Sequence, residues 1–172
     1  MRDHHFPQFH VRPPTGFVND PNGPILLPDG LHLYFQYRSA TSGTSPVSWG
    51  HAVSQDFVKW ELLPPAIVPA LTGADADGCW SGNTVAAGDR VVAFYSGYQA
   101  SAKYQSVLRA YSVDGGRTFG AKFPAAPDPG ADQHIVHFRD PFVWLAGDRW
   151  RMVVGAGATD EMASARIFES TD

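Results

Sequence analysis

Three Ser-x-Asp triplets, Ser54-x-Asp56, Ser112-x-Asp114 and Ser170-x-Asp172, divide this chain into equal units: 56 to 114 and 114 to 172 are 58 positions each. Strand-like runs recur at the same offset, over residues 33–37, 91–95 and 149–153. Aromatics follow the first two triplets, Phe57 and Trp60 after one, Phe119 after the other. Each unit reads as a polar opening with glycine, a strand, a turn, two further strands, the triplet and an aromatic. Four short strands per repeat is the scale of a propeller blade, in which neighbouring units bury one another's faces. A β-sandwich with accidental periodicity is the alternative.

Composition supports short strands. Aromatics make up 13% of the 172 residues, and 17 Gly with 14 Pro supply many turns. The net charge of −4, with no basic run, argues against nucleic acid or an anionic membrane as partner. No apolar stretch approaches the ~20 residues of a membrane-spanning helix. The first residues, Met1 to Pro7, contain no apolar signal region, so a cytoplasmic location is expected if Met1 is the true start. The single cysteine, Cys79, cannot form an internal disulfide and reads as a small buried residue. His4, His5 and His10 lack a cysteine partner or helical spacing, so no metal is expected. Pro64-Pro65, Pro69 and the Asp75 to Gly78 stretch read as loop across residues 64–79.

The chemistry lies in the openings of the units. They are Asn19-Asp20-Pro21, Trp80-Ser81-Gly82-Asn83 and Arg139-Asp140-Pro141, each just before an apolar run. Alone, Phe17-Val18-Asn19-Asp20-Pro21-Asn22-Gly23 suits an Asx-turn. In a propeller the equivalent strands line one channel. Asp20 and Asp140 would then face each other, with Asn19, Ser81, Asn83 and Arg139 nearby. Convergent polar groups at one mouth suit a sugar.

These same residues resemble glycoside hydrolase family 32. His10-x-x-Pro13-x-x-Gly16 through Gly23 is similar to its opening signature, which usually reads Trp-Met-Asn-Asp-Pro-Asn-Gly. Residues 33–37, residues 49–60, Asp77-Gly78-Cys79-Trp80-Ser81-Gly82 and Phe138-Arg139-Asp140-Pro141 resemble its next blocks, in family order. The resemblance implies an all-β, five-bladed propeller, with residues 1–172 as an N-terminal part holding about three blades. It implies cleavage of β-fructofuranosidic bonds in sucrose, its phosphate or fructans, with retention and without a cofactor. Asp20 would be the nucleophile and Asp140, held ionised by Arg139, the transition-state stabiliser. Phe17, Val18, Asn19, Gln36, Trp80, Ser81 and Arg139 would contact the sugar.

Two departures accompany the resemblance. The family's general acid is a Glu in a Glu-Cys-Pro block, near position 190 by spacing. The glutamates here, Glu61, Glu161 and Glu169, stand in no such block and read as solvated residues. The family's Trp eight residues after the Gln is replaced by Thr44. The sequence therefore also admits a truncated, inactive or merely fructoside-binding chain. A fructosyltransferase uses the same carboxylates and stays open too. A sheet stopped in mid-blade leaves an open edge, so the chain by itself is expected to aggregate.

Overall fold

The structure is a computed structural model that describes residues 4–5, 9–39, 45–129, 134–159 and 162–172. Thr44 and Glu161 lie outside the described residues. Among the described residues, eleven strands form three antiparallel sheets. The first holds β1 (Phe17–Leu27), β2 (Gly30–Arg38), β3 (Ser48–Ser54) and β4 (Glu61–Ile67), in that spatial order. The second holds β5 (Gly78–Ala87), β6 (Arg90–Tyr98), β7 (Ser106–Ser112) and β8 (Lys122–Pro124). The third holds β9 (Ile135–Ala146), β10 (Arg149–Ala158) and β11 (Ala163–Ser170).

Sequential hairpins within each sheet, and contact of β1 with β5 and of β5 with β9, make these blades around a common axis. Two facing sheets, as a sandwich requires, are not what forms. The core lies between blades. Tyr34 and Trp49 of the first pack with Ala93, Tyr95 and Leu108 of the second. Val107 of the second packs with Phe138, Val143, Met152 and Val154 of the third.

The triplets end the third strand of every blade, at Ser54, Ser112 and Ser170. In each, the serine hydroxyl donates to the aspartate two residues on, at 3.3, 2.6 and 2.7 Å. Asp56 and Asp114 then accept the next backbone N–H groups, from Val58 and Lys59 and from Arg117 and Thr118. The triplet is a turn that stops a strand and starts the crossing to the next.

Two expectations need correction. The 58-residue period belongs to the third strands only. Leu31 pairs with Ser54, Val91 with Ser112 and Trp150 with Ser170, so the second strands are offset by 60 and then 59. The connection from second to third strand shortens from blade to blade, and the hairpin register follows it. Pro64 and Pro65 are not loop. They sit within β4, the outermost strand of its sheet, where a residue without an N–H costs little.

Candidate active site

The innermost strand of each blade breaks its ladder at its polar opening. Register shifts leave Asn19 and Asp20 between Val18 and Pro21, and Trp80 and Ser81 between Cys79 and Gly82. In the third blade the break falls at Asp140 and Pro141. On the second strands, Tyr37, Gly97 and Ala156 stand equally far from the hairpin ends at Gly30, Arg90 and Arg149, and they pair with Val18, Cys79 and Phe138. Two residues on from these come Asp20, Ser81 and Asp140. The three therefore hold one structural position, and Asn19, Trp80 and Arg139 hold the one before it. A bulge re-aims the side chains it frees; here Asp20 and Ser81 meet at one cleft, and Asp140, beside the lining residue Arg139, is not itself among the residues that line it.

The side chains confirm that convergence. Asp20 Oδ2 accepts from Gln36 Nε2 and from Ser81 Oγ, both at 3.2 Å. Gln36 Nε2 also donates to Ser81 Oγ at 2.7 Å, and Asn19 Nδ2 reaches Gln36 Oε1 at 3.4 Å. Asn22 Nδ2 bonds the backbone carbonyl of Asp20 at 3.2 Å. A carboxylate so supplied with donors is held in one orientation. Trp80 stacks on Tyr98 with ring centres 4.3 Å apart, and the Arg139 guanidinium lies 5.9 Å from the Trp80 ring centre. Trp49 Nε1 anchors the strand by donating to the Trp80 carbonyl at 2.8 Å. Together these form a polar cleft of about 260 Å³ with an aromatic wall.

Phe17, Asn19, Asp20, Gln36, Trp80 and Arg139 line that cleft, and Ser81 touches it through Asp20 and Gln36. Val18 is adjacent in sequence but is not a lining residue. Tyr37, Arg38 and Val47 line it as well and were missed. The strand position of Tyr37 and Arg38 next to Gln36 could have suggested them, whereas Val47 comes in from a preceding loop. Asn83, expected near the sugar, is buried and bonds the Val143 backbone instead. Cys79 is fully buried, its Sγ 3.3 Å from Asp75, and burial pushes its thiol pKa upward.

Asp140 stands beside Arg139. Its Oδ2 is 3.7 Å from Arg139 Nε, a long contact at an exposed pair. Partial desolvation raises its pKa, Arg139 opposes this, and the Asp20 charge adds to the rise. Arg139 therefore does not hold Asp140 below the usual carboxylate range; desolvation outweighs the pairing. Neither described glutamate is near Asp20 or Asp140. Glu61 begins β4 at the rim, and Glu169 on β11 pairs with Arg151 at 2.9 Å.

Known proteins are similar to this chain in sequence and fold. The signature described as the glycosyl hydrolases family 32 N-terminal domain matches residues 10–172. A sucrose-6-phosphate hydrolase of Zymomonas mobilis is 38% identical over 164 residues, covering 91% of this chain and 31% of that protein. A Bombyx mori GH32 beta-fructofuranosidase, solved with sucrose, superposes with a TM-score of 0.82 at 29% identity over 98% of this chain and 36% of that one. The fructan 1-exohydrolase IIa of Cichorium intybus, solved with 1-kestose, gives 0.79 at 34% identity over 96% of this chain and 32% of that one. The chain thus spans about a third of the length of these relatives. With the family's signature over residues 10–172 and the same fold as its solved members, the chain belongs to glycoside hydrolase family 32.

Proposed function

We propose that the protein at its full encoded length hydrolyses β-fructofuranosidic bonds with retention of configuration, and that Asp20 is the nucleophile. The observation that carries this is the orientation of Asp20. It stands on a bulge, at the wall of a cleft, held by Gln36 and Ser81, with Asp140 within electrostatic reach. The carboxylate of Asp20 attacks C2 of the fructosyl unit. The bond from C2 to the bridging oxygen breaks, and that oxygen takes a proton from a carboxylic acid. Water then attacks C2 and releases fructose as Asp20 departs. In retaining glycosidases the two carboxyl groups stand about 5–5.5 Å apart. Asp140 stabilises the charge that develops on the sugar and binds its hydroxyls. Trp80 supplies the apolar wall for the ring's face, with Arg139 beside it.

The substrate is a small fructoside, as the sucrose and 1-kestose bound to the two related structures support. Neither described glutamate is placed for the proton donor's role: Glu61 opens the outermost strand β4, and Glu169 pairs with Arg151. Asp20→Asn in the full-length protein tests the assignment. A loss of at least about 10³-fold in kcat with retained fructose binding is expected from removal of a nucleophile. Wild-type turnover in that variant would refute it.

A further inference from the structure

The second-strand positions facing the bulges are Gln36 in the first blade and Ser96 in the second. Gln36 acts in the cleft, whereas Ser96 is wholly buried and touches no part of it. Its hydroxyl has two partners, one on each neighbouring bulge. Ser96 Oγ donates to the carbonyl of Ser81 at 3.0 Å and accepts from the backbone N–H of Asp140 at 2.8 Å. Asp140 has φ of 59°, a left-handed conformation that costs an L-residue free energy unless its surroundings hold it.

We infer that Ser96 is a positioning residue for the reaction: one buried hydroxyl locks the Ser81 and Asp140 bulges together and so sets where Asp140 stands relative to Asp20. The path is continuous. Asp20 is held by the Ser81 hydroxyl, Ser81 by its carbonyl on Ser96, and Ser96 holds the N–H of Asp140. In the third blade the residue facing the Asp140–Pro141 bulge is Val154, which brings no hydroxyl to repeat the device there. The left-handed turn at Asp140 is thus fastened from the second blade rather than from its own. A hydroxyl suits this task because it donates and accepts at once, over a short reach. Without it the Asp140 N–H loses its acceptor, and the backbone is free to relax from φ of 59°. A displacement of about 1 Å in a group that must meet the transition state costs on the order of 10²-fold in rate.

This inference rests on the roles proposed for Asp20 and Asp140, and its test separates the two. Ser96→Ala, Ser96→Cys and Ser96→Thr are compared with Asp20→Asn in the full-length protein, by kcat, KM and the inhibition constant of fructose. Ser96→Ala and Ser96→Cys are expected to lower kcat/KM by about 10- to 100-fold and to weaken fructose inhibition, with Asp20→Asn essentially inactive. Ser96→Thr, which keeps the hydroxyl, is expected to recover most of the loss. Near-isosteric Ser96→Cys keeps the test open if the alanine variant does not fold. Wild-type kcat/KM in Ser96→Cys overturns the inference, as do equal losses in the threonine and alanine variants, which would point to packing. Activity in Asp20→Asn would instead overturn the nucleophile and leave the Ser96 comparison to be read by itself.

Discussion

The side-chain amide of Asn83 grips the backbone of Val143 as a neighbouring strand would. Asn83 Nδ2 donates to the Val143 carbonyl at 2.8 Å, and the Val143 N–H donates to Asn83 Oδ1 at 2.9 Å. The second and third blades are thereby joined next to the axis, beneath the mouth carboxylates. Thr84 makes a single bond in the other direction, to the Gly23 carbonyl of the first blade at 2.9 Å.

Asn83→Ala should therefore destabilise the fold strongly. It strands a buried N–H and a buried carbonyl, each worth about 1–3 kcal/mol when unpaired, so a loss of about 2–4 kcal/mol is expected. Chemical denaturation of the variant beside the wild type measures it. A loss below about 0.5 kcal/mol would show that Val143 finds other partners.

A buried histidine pair should make stability fall in mild acid. His32 Nε2 lies 2.9 Å from Asp29 and its Nδ1 lies 3.0 Å from His51 Nε2. With His32 donating to the carboxylate, His51 must donate through Nε2, which leaves its buried Nδ1 bare. A proton there would have no acceptor. Burial, helped by the neighbouring His32, lowers the His51 pKa to about 4. The unfolded chain, with a histidine pKa of about 6.5, then binds more protons, so stability falls as pH drops from about 6.5 and levels off below about 4. The full effect is on the order of 3 kcal/mol. His51→Gln should flatten this window in denaturation curves taken at pH 7 and pH 5. An unchanged slope would place the pH dependence elsewhere.

Phe57 is an exposed residue in a conformation that favours glycine. Its φ is 62°, where the matching turn of the second blade uses Gly115 and Gly116 at 71° and 77°. Phe57→Gly relieves about 1–2 kcal/mol of left-handed strain against a flexibility cost of about 0.5–1 kcal/mol. A rise in the thermal midpoint is expected. A fall would mean that the phenyl ring makes contacts worth more than the strain.

Gln36→Glu should shift the pH dependence of the reaction. It places a second carboxyl beside Asp20, where Gln36 now donates at 3.2 Å. A like charge raises the pKa of a carboxylate, so the acidic limb of kcat/KM should move up by about one unit or more. Identical pH–rate profiles for variant and wild type would remove Gln36 from the contacts that matter to Asp20.

What the sequence alone determined is the all-β blade repeat, its turns, and which residues open each unit. These were legible because a Ser-x-Asp turn is local chemistry, its serine and aspartate bonding within four residues, and because strand pattern repeats wherever blades bury equivalent faces. The tertiary structure decided three things that involve distant partners. Bulge register placed Asp20, Ser81 and Asp140 at one position, although their spacings in the chain, 61 and 59, differ from the 58 of the turns. Asn83 and Ser96, read as a sugar neighbour and not read at all, proved to be fasteners between blades, because only the assembled sheets show which backbone groups lack a ladder partner. At Asp140, likewise, partial desolvation by neighbours brought together in the fold raises the pKa against the adjacent Arg139 that the sequence displays.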